Sequence, residues 1–143
     1  MKLHITHTDN IIQNYNNVTV QNGIINLSNV VNNSCDEILV IDALDYVKYE
    51  NVNKTLASIM EKLRINGTIT IVGTDLRSFN RLILSEKISI EEYNKKIEDV
   101  KSLNYVSNVR KILDSYGLAI ESEMVRSHKY EIVAIRKYNE NKI

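Results

Sequence analysis

Four polar side chains follow two apolar runs and could together perform acid–base chemistry. Asp42, Asp45 and Tyr46 come at or just after the run DEILVID, and Asp75 follows the run TITIVGT. If both runs are parallel strands, their carboxyl ends meet at one sheet edge, where α/β proteins bind their ligands. A carboxylate or phenol there could orient or deprotonate a bound nucleophile. We therefore name these four as candidate catalytic residues.

Each candidate also has a purely structural interpretation. Asp42 would cap the turn that follows it, and Asp45 would be a solvated residue at a helix start. Asp75 would cap a helix, with Arg77 as a surface cation, or the two would pair with each other or with a charged substrate. The sequence leaves both interpretations open.

The histidines and the cysteine give weaker signals. His4 and His7 have H-x-x-H spacing, but residues three apart on a strand point to opposite faces, so a shared ion would require a turn between them. His128 lies in the polar stretch RSHK and is more typical of a solvated residue. Cys35 has no evident base partner and is expected to be a buried apolar residue. We predict no metal site.

Alternating strand-like and helix-like segments must position these side chains. The apolar centre of residues 36–42 predicts a central strand covered on both faces. Periodicity and turn residues predict the other elements: strands at 1–5, 17–20, 23–27 and TITIVGT, helices at 51–64, 76–84, 89–100 and 106–116, and a hairpin around RSHK. Asn66–Gly67 is predicted to end the first helix, and Ser89 and Glu92 have capping-box spacing. The pattern predicts one α/β domain over 1–143, with a mostly parallel sheet and a carboxy-terminal antiparallel hairpin.

Composition excludes several classes of protein. The 143 residues are 43% hydrophobic and 25% charged, which argues against wholesale disorder. Basic and acidic residues balance at 18 each, so no global charge favours nucleic acid or an anionic membrane. No apolar run approaches the roughly 20 residues of a membrane span. One cysteine precludes an internal disulfide and fits a reducing compartment, so we expect a cytoplasmic protein. Many Asn, Ile and Lys residues without proline favour a low-GC microbe or a virus as the source.

The order of these segments resembles the class I S-adenosylmethionine-dependent methyltransferases. More specifically, the chain is similar to small methyltransferase-like proteins that begin MKLHLGCG and continue with DEI, a Leu–acidic–His sequence, LKPGG and a helical insertion. The corresponding stretches here are MKLHITHT, CDEILVIDALDYV, LRINGTITIVGTDL and EKISIEEYNKKI. The resemblance implies a Rossmann-like fold with a reduced amino-terminal half. If the protein is active, it also implies S-adenosylmethionine as cofactor and a small molecule or glycan as acceptor.

The turn that would approach the cofactor has lost its glycines. By the resemblance, the family's Gly–Cys–Gly falls on Thr6, His7 and Thr8. Glycine permits close backbone approach to a ligand because it has no Cβ and tolerates positive φ. Three side chains therefore occupy space that the family leaves open.

The other cofactor contacts are changed as well. The acidic residue that would bind the ribose aligns with Thr19, or with Gln21 in a shifted register, and neither is charged. The Asp that would bind the adenine amino group aligns with Asn26, which keeps an acceptor, and Ser28 follows two positions on. Where the family has His, this chain has Tyr46.

Three functions stay open at this point. The first is a noncatalytic binding or assembly module on a methyltransferase scaffold, whose partner is a second copy or an active methyltransferase. The second is an active S-adenosylmethionine-dependent methyltransferase with a divergent pocket. The third is a nucleotide-binding module that uses the hydroxyls of Thr6 and Thr8. Joint loss of the glycine turn and the acidic ribose contact favours the first.

Overall fold

The computed structural model describes residues 1–138, so residues 139–143 of the predicted domain lie outside the described part. The strands are β1 (Lys2–Thr6), β2 (Asn16–Thr19), β3 (Cys35–Ile41), β4 (Leu63–Thr74), β5 (Leu118–Arg126) and β6 (Lys129–Arg136). They form one sheet in the order β2-β1-β3-β4-β6-β5. The first four strands pair in parallel, and β6 runs antiparallel to both β4 and β5. The predicted mostly parallel sheet with an antiparallel hairpin is confirmed.

Four helices belong to the described residues: α1 (Val52–Lys62), α2 (Leu76–Leu84), α3 (Ile90–Asp99) and α4 (Val106–Ser115). A 3-10 turn, Leu44–Tyr46, follows β3. The predicted cap of α3 is confirmed, because the Ser89 Oγ accepts a hydrogen bond from the Glu92 backbone N–H at 3.1 Å. Helix α1 connects β3 to β4, and the other three helices lie between β4 and β5.

The two faces of the sheet differ in how they are covered. The "packed face" carries fully buried side chains: Leu3, Ile5, Ile38, Val40, Ile69, Ile71, Ile132 and Ala134. They form one core cluster with residues of α1 and α4 such as Leu56 and Leu113. The "open face" of β3, β4, β6 and β5 carries partly exposed side chains outside that cluster: Leu39, Ile41, Thr68, Thr70, Val72, Val133, Ile135, Ala119 and Met124. The central position of β3 is confirmed, but its predicted cover on both faces is wrong.

The strand predicted at residues 23–27 is also wrong. Asn22 and Gly23 both have positive φ, 54° and 77°, and form a tight turn. Gln21 and Ile24 exchange backbone hydrogen bonds of 2.9 and 3.0 Å across it. This single bridge is all the pairing that the two-residue turn supports before the chain leaves it.

Helix α1 ends at Lys62, four residues before the Asn–Gly pair that was predicted to end it. Leu63 is already extended and begins β4, whose register against β3 shifts at this point. Asn66 has a φ of 69°, and a Cβ on Gly67 would lie 2.7 Å from the Leu63 side chain. The Asn–Gly pair therefore marks a bulge in a strand, because only glycine fits this close approach.

Candidate functional site

The carboxyl ends of β1, β3 and β4 bring candidate catalytic and cofactor-binding residues to one edge of the sheet. His7 follows β1, Tyr46 follows β3, and Asp75 follows β4. The chain order changes direction at β1, because β2 lies on one side of it and β3 on the other. The crevice between β1 and β3 is therefore the topological switch point, where open α/β sheets bind ligands.

Two aromatic rings meet at this switch point. The ring of His7 stacks on that of Tyr46, with centroids 3.9 Å apart and planes inclined by 16°. The His7 Nδ1 is buried and has no hydrogen-bond partner within residues 1–138. Burial lowers the pKa of His7, although the carboxylates of Asp42 and Asp45 act in the opposite direction. The neutral imidazole is thus favoured in the folded protein.

The threonines beside this stack bond to one another. Thr6 is buried, and its Oγ1 lies 3.4 Å from both the Oγ1 and the backbone nitrogen of Thr8. Thr19 stands next to Thr6 in the parallel pairing of β1 and β2. Thr6 and Thr8 thus place hydroxyls at the turn aligned with the family's glycines. Thr19 places a hydroxyl, and not a carboxylate, at the position aligned with the ribose contact.

The residue aligned with the adenine contact lies in a loop. Asn26 follows the Gln21–Ile24 turn, and its side chain is exposed. Its Oδ1 accepts a hydrogen bond of 3.0 Å from the backbone N–H of Ser28. The Asn26 Oδ1, which was expected to accept from an adenine amino group, is therefore already hydrogen-bonded within its own turn.

Asp42 is held in an unusual backbone conformation at the end of β3. Its φ is 57°, a left-handed value that Asp adopts more readily than most residues. Its backbone N–H donates to the Val72 carbonyl at 2.8 Å, and its carboxylate accepts from the Lys129 ammonium at 2.5 Å. The ion pair joins the ends of β3 and β6.

Asp45 is buried, in contrast to its interpretation as a solvated residue. Its carboxylate accepts hydrogen bonds from the Thr74 hydroxyl at 2.7 Å and the Thr74 backbone N–H at 3.2 Å, and the Lys96 ammonium lies 3.5 Å away. Burial raises the pKa of Asp45, while the Thr74 hydrogen bonds and Lys96 oppose this. Burial also lowers the pKa of Lys96. Asp45 therefore connects β4 and α3 from inside the protein.

Asp75 caps α2, as its structural interpretation predicts. Its carboxylate accepts from the Ser78 backbone N–H and hydroxyl, at 3.0 and 2.8 Å, and from the Val106 backbone N–H at 2.9 Å. Burial alone would raise the pKa of Asp75, but these hydrogen bonds lower it overall. Arg77 lies over the Tyr105 ring, 5.6 Å from its centroid. Asp75 thus connects the starts of α2 and α4.

The cations of this edge were not predicted from the sequence. A cleft of about 340 Å³ opens beside the stack and is lined by Tyr46, Phe79, Ile88, Glu92, Lys95, Lys96, Asp99 and His128. His128 is half-buried, which lowers its pKa, and its ring lies 5.8 Å from that of Phe79. Lys129 could have been predicted from the topology, because the residue that follows a hairpin turn beside β4 must lie at this edge. Lys96 gave no signal beyond its charge-rich helix.

The remaining candidates have structural surroundings. The His4 Nδ1 hydrogen-bonds to the Asn17 Oδ1 at 2.8 Å, and Cys35 is fully buried, as expected. Within residues 1–138 no three His, Cys, Asp or Glu residues are grouped closely enough to hold a metal ion. Over the same residues, no helix has the length and apolar character needed to cross a membrane.

Sequence comparison finds no relatives, whereas structure comparison finds many. No family model matches the chain, and no curated protein matches it significantly. A methyltransferase in complex with the Trm112 methyltransferase activator from Haloferax volcanii has a TM-score of 0.60 at 12% identity, over 92% of this chain and 65% of that one. An S-adenosylmethionine-dependent methyltransferase from Archaeoglobus fulgidus has a TM-score of 0.59 at 12% identity, over 86% and 68%.

A third similar structure was solved with a cofactor product. It is the 1,6-didemethyltoxoflavin-N1-methyltransferase of Burkholderia thailandensis with S-adenosylhomocysteine bound, with a TM-score of 0.53 at 13% identity over 76% of this chain and 46% of that one. The present chain thus spans 46–68% of the length of these three proteins. Identities this low show the fold alone. The strand order and these likenesses together show that the chain has the Rossmann-like fold of the class I S-adenosylmethionine-dependent methyltransferases.

Proposed function

We propose that this methyltransferase-like protein is a noncatalytic binding or assembly module that does not bind S-adenosylmethionine in the usual way. The observation that carries the proposal is the stack of His7 on Tyr46 at the switch point between β1 and β3. In this fold, the crevice at that point is where a ligand enters the carboxyl edge. Here the stacked rings of His7 and Tyr46 occupy part of that crevice.

The residues present do not fit the cofactor. Thr6, His7 and Thr8 put three side chains where a close backbone approach is needed, and His7 is held against Tyr46. Admitting a ligand would require separation of the stacked rings and loss of their contact. Thr19 supplies a hydroxyl but no carboxylate to grip a ribose. The turn with its stack and the uncharged Thr19 are thus two features that oppose binding.

The proposed role needs a macromolecular partner. We propose either a second copy of the chain or an active methyltransferase, in the cytoplasm and without nucleic acid. The Haloferax volcanii structure supports a protein partner in general, because in it a methyltransferase is in complex with an activator protein. The balanced charge of 18 basic and 18 acidic residues supports the absence of nucleic acid.

Calorimetric titration of S-adenosylhomocysteine and S-adenosylmethionine tests the proposal. The protein is first checked for copurified ligand, and then titrated beside His7→Gly, which removes the stacked ring. We expect no saturable heat for the wild type up to millimolar ligand. Binding that appears only in His7→Gly would identify the stack as the obstacle. Micromolar binding by the wild type, or methyl transfer by the pure protein, would overturn the proposal.

One observation favours an active methyltransferase as the second candidate. Tyr46 lines the cleft of about 340 Å³ together with Lys96 and His128, and Asp42 and Asp45 flank it. In that case a small molecule or glycan would bind in the cleft, and Tyr46 or Asp42 would orient or deprotonate its nucleophile. S-adenosylmethionine would supply the methyl group. If a purified activity were found, Tyr46→Phe and Asp42→Asn should each lower kcat, while Arg77→Ala, outside the cleft lining, should not.

A further inference from the structure

The open face is an apolar surface that spans four strands. Its Cα partners form two rows across β3, β4 and β6: Leu39, Thr70 and Val133 in one row, and Ile41, Val72 and Glu131 in the other. Ile135 lies beside Thr68 in a third row, and β5 adds Ala119, Ser122, Met124 and Arg126. Apart from Ser122, Arg126 and Glu131, these side chains are apolar or threonine, and all are partly or fully exposed. The parallel pair among these strands, β3 and β4, has the apolar composition of strands that are ordinarily covered on both faces.

No helix of residues 1–138 covers this surface. Helices α1 and α4 contribute their apolar residues to the core cluster of the packed face, which contains none of the open-face side chains. Helices α2 and α3 are held at the carboxyl edge by the Asp75 cap and the Lys96–Asp45 ion pair. A shallow cavity of about 260 Å³ on the open face is lined only by strand residues, of which Val72 and Met124 are apolar and Arg126, Lys129 and Glu131 are charged.

We propose that the open face is the docking surface for a second copy of this chain, so that two sheets pack face to face in a symmetric dimer. The inference rests on the proposed function and specifies its partner. A two-fold interface uses the same patch on both subunits, and a flat apolar patch is complementary to itself. Side chains of Val, Ile, Leu and Thr are also those that interdigitate between sheets packed about 10 Å apart.

The charges at the rim fit a second copy better than a strongly charged partner. At one end, Lys2 lies 3.7 Å from Glu37. At the other end, Arg126 and Glu131 are both exposed. Each end of the face therefore carries both a positive and a negative side chain. Whether the two sheets pack parallel or antiparallel, no end meets only charges of its own sign.

The area is sufficient for a dimer. Four strands about 4.8 Å apart and six residues rising about 3.3 Å each give a patch of roughly 19 by 20 Å. Since accessible surface exceeds projected area, two such patches bury about 1,000 Å² or more, the size at which specific interfaces begin. An interface that also covered Lys2 and Glu37 would bury a larger area.

Sedimentation equilibrium over a wide concentration range tests the dimer. The wild type is compared with Val133→Lys and Thr70→Lys on the open face, and with Ile90→Lys as a matched control. Ile90 is 77% exposed on α3 and is not one of the open-face side chains. We expect a dimer for the wild type and the control, and a dissociation constant at least tenfold weaker for either open-face variant. Far-UV circular dichroism must be unchanged, and Thr70→Lys provides a test at a position that is already polar.

Two results would overturn the inference. One is a wild type that stays monomeric up to hundreds of micromolar, and the other is a dimer that neither lysine on the open face weakens. Both are distinguishable from failure of the proposed function, which the cofactor titration tests separately. A monomer that binds no S-adenosylhomocysteine overturns only the dimer, and a dimer that binds it at micromolar concentration overturns only the noncatalytic role.

Discussion

The packed and open faces are made by the same strands, yet within residues 1–138 only the packed face has a helical layer. Ile71 and Ile132 point to the packed face and are fully buried, while their chain neighbours Val72 and Val133 point to the open face and are partly exposed. Adjacent residues of similar type are therefore fully buried on one face and partly exposed on the other. The difference teaches that apolar composition shows what a strand face can bind, but not whether the chain itself supplies the cover.

The largest expected effect is on the packed face. Ile71→Ala should lower the free energy of unfolding by about 3 kcal/mol, because it removes buried methyl groups and leaves a cavity in the centre of the core. Urea denaturation followed by circular dichroism measures the change. A loss below about 1 kcal/mol would mean that the packed face is no better filled than the open one.

The next largest effect is at the cap that helps hold α4, a helix of the packed face. Asp75→Ala removes three hydrogen bonds, to Ser78 and Val106, from a buried carboxylate, and we expect a loss of about 2 kcal/mol. Asp75→Asn keeps an acceptor and should cost less. Equal losses in both variants would show that negative charge, rather than capping, matters at this position.

A smaller effect should depend on pH. Because the folded protein lowers the pKa of His7 below its ordinary 6.5, the unfolded chain binds protons more readily in the window below that value. Stability should thus fall as the pH drops below about 6.5. His7→Phe keeps a stacked ring and should flatten part of this dependence, and His128→Gln should flatten another part because its pKa is lowered too. Thermal melts between pH 5 and pH 8, a range set by the ordinary pKa of about 6.5, measure both. An unchanged profile in both variants would contradict the expectation.

The smallest effect should be on the open face. At a protein concentration low enough to prevent association, Val72→Ala should cost less than about 1 kcal/mol, because this side chain is already partly in contact with water. The pair Ile71→Ala and Val72→Ala, compared by the same denaturation, gives the sharpest test of the difference between the faces. Equal costs at this concentration would show that the open face is packed as well as the other within a single chain.

The elements that sequence predicted correctly depend on local physics. The apolar run of β3, the serine cap of α3 and the hairpin around RSHK involve neighbours in the chain, so their residue types carry the signal. Residues 23–27 failed because the Asn22–Gly23 turn permits a single bridge, and apolar composition does not report pairing length. The Asn66–Gly67 pair was wrongly predicted to end a helix, because a helix end and a strand bulge favour the same residue types.

The candidate site was predictable only in part. Its edge follows from strand order, so Asp42, Asp45, Tyr46 and Asp75 could be named together, and their chemical roles stay predictions. The partners could not be found, because Lys129 meets Asp42 across 87 residues of sequence. The His7–Tyr46 stack also joins separate strands, so no spacing rule indicates it.

The position of β6 has a consequence for how the protein is made. This strand is the last in the described chain, yet it lies between β4 and β5 in the sheet. During synthesis, β4 therefore has one unpaired edge until the ribosome has released the chain through Arg136. Because unpaired strand edges invite pairing with other nascent chains, this order of emergence makes the interval before β6 inserts the most aggregation-prone stage of biogenesis.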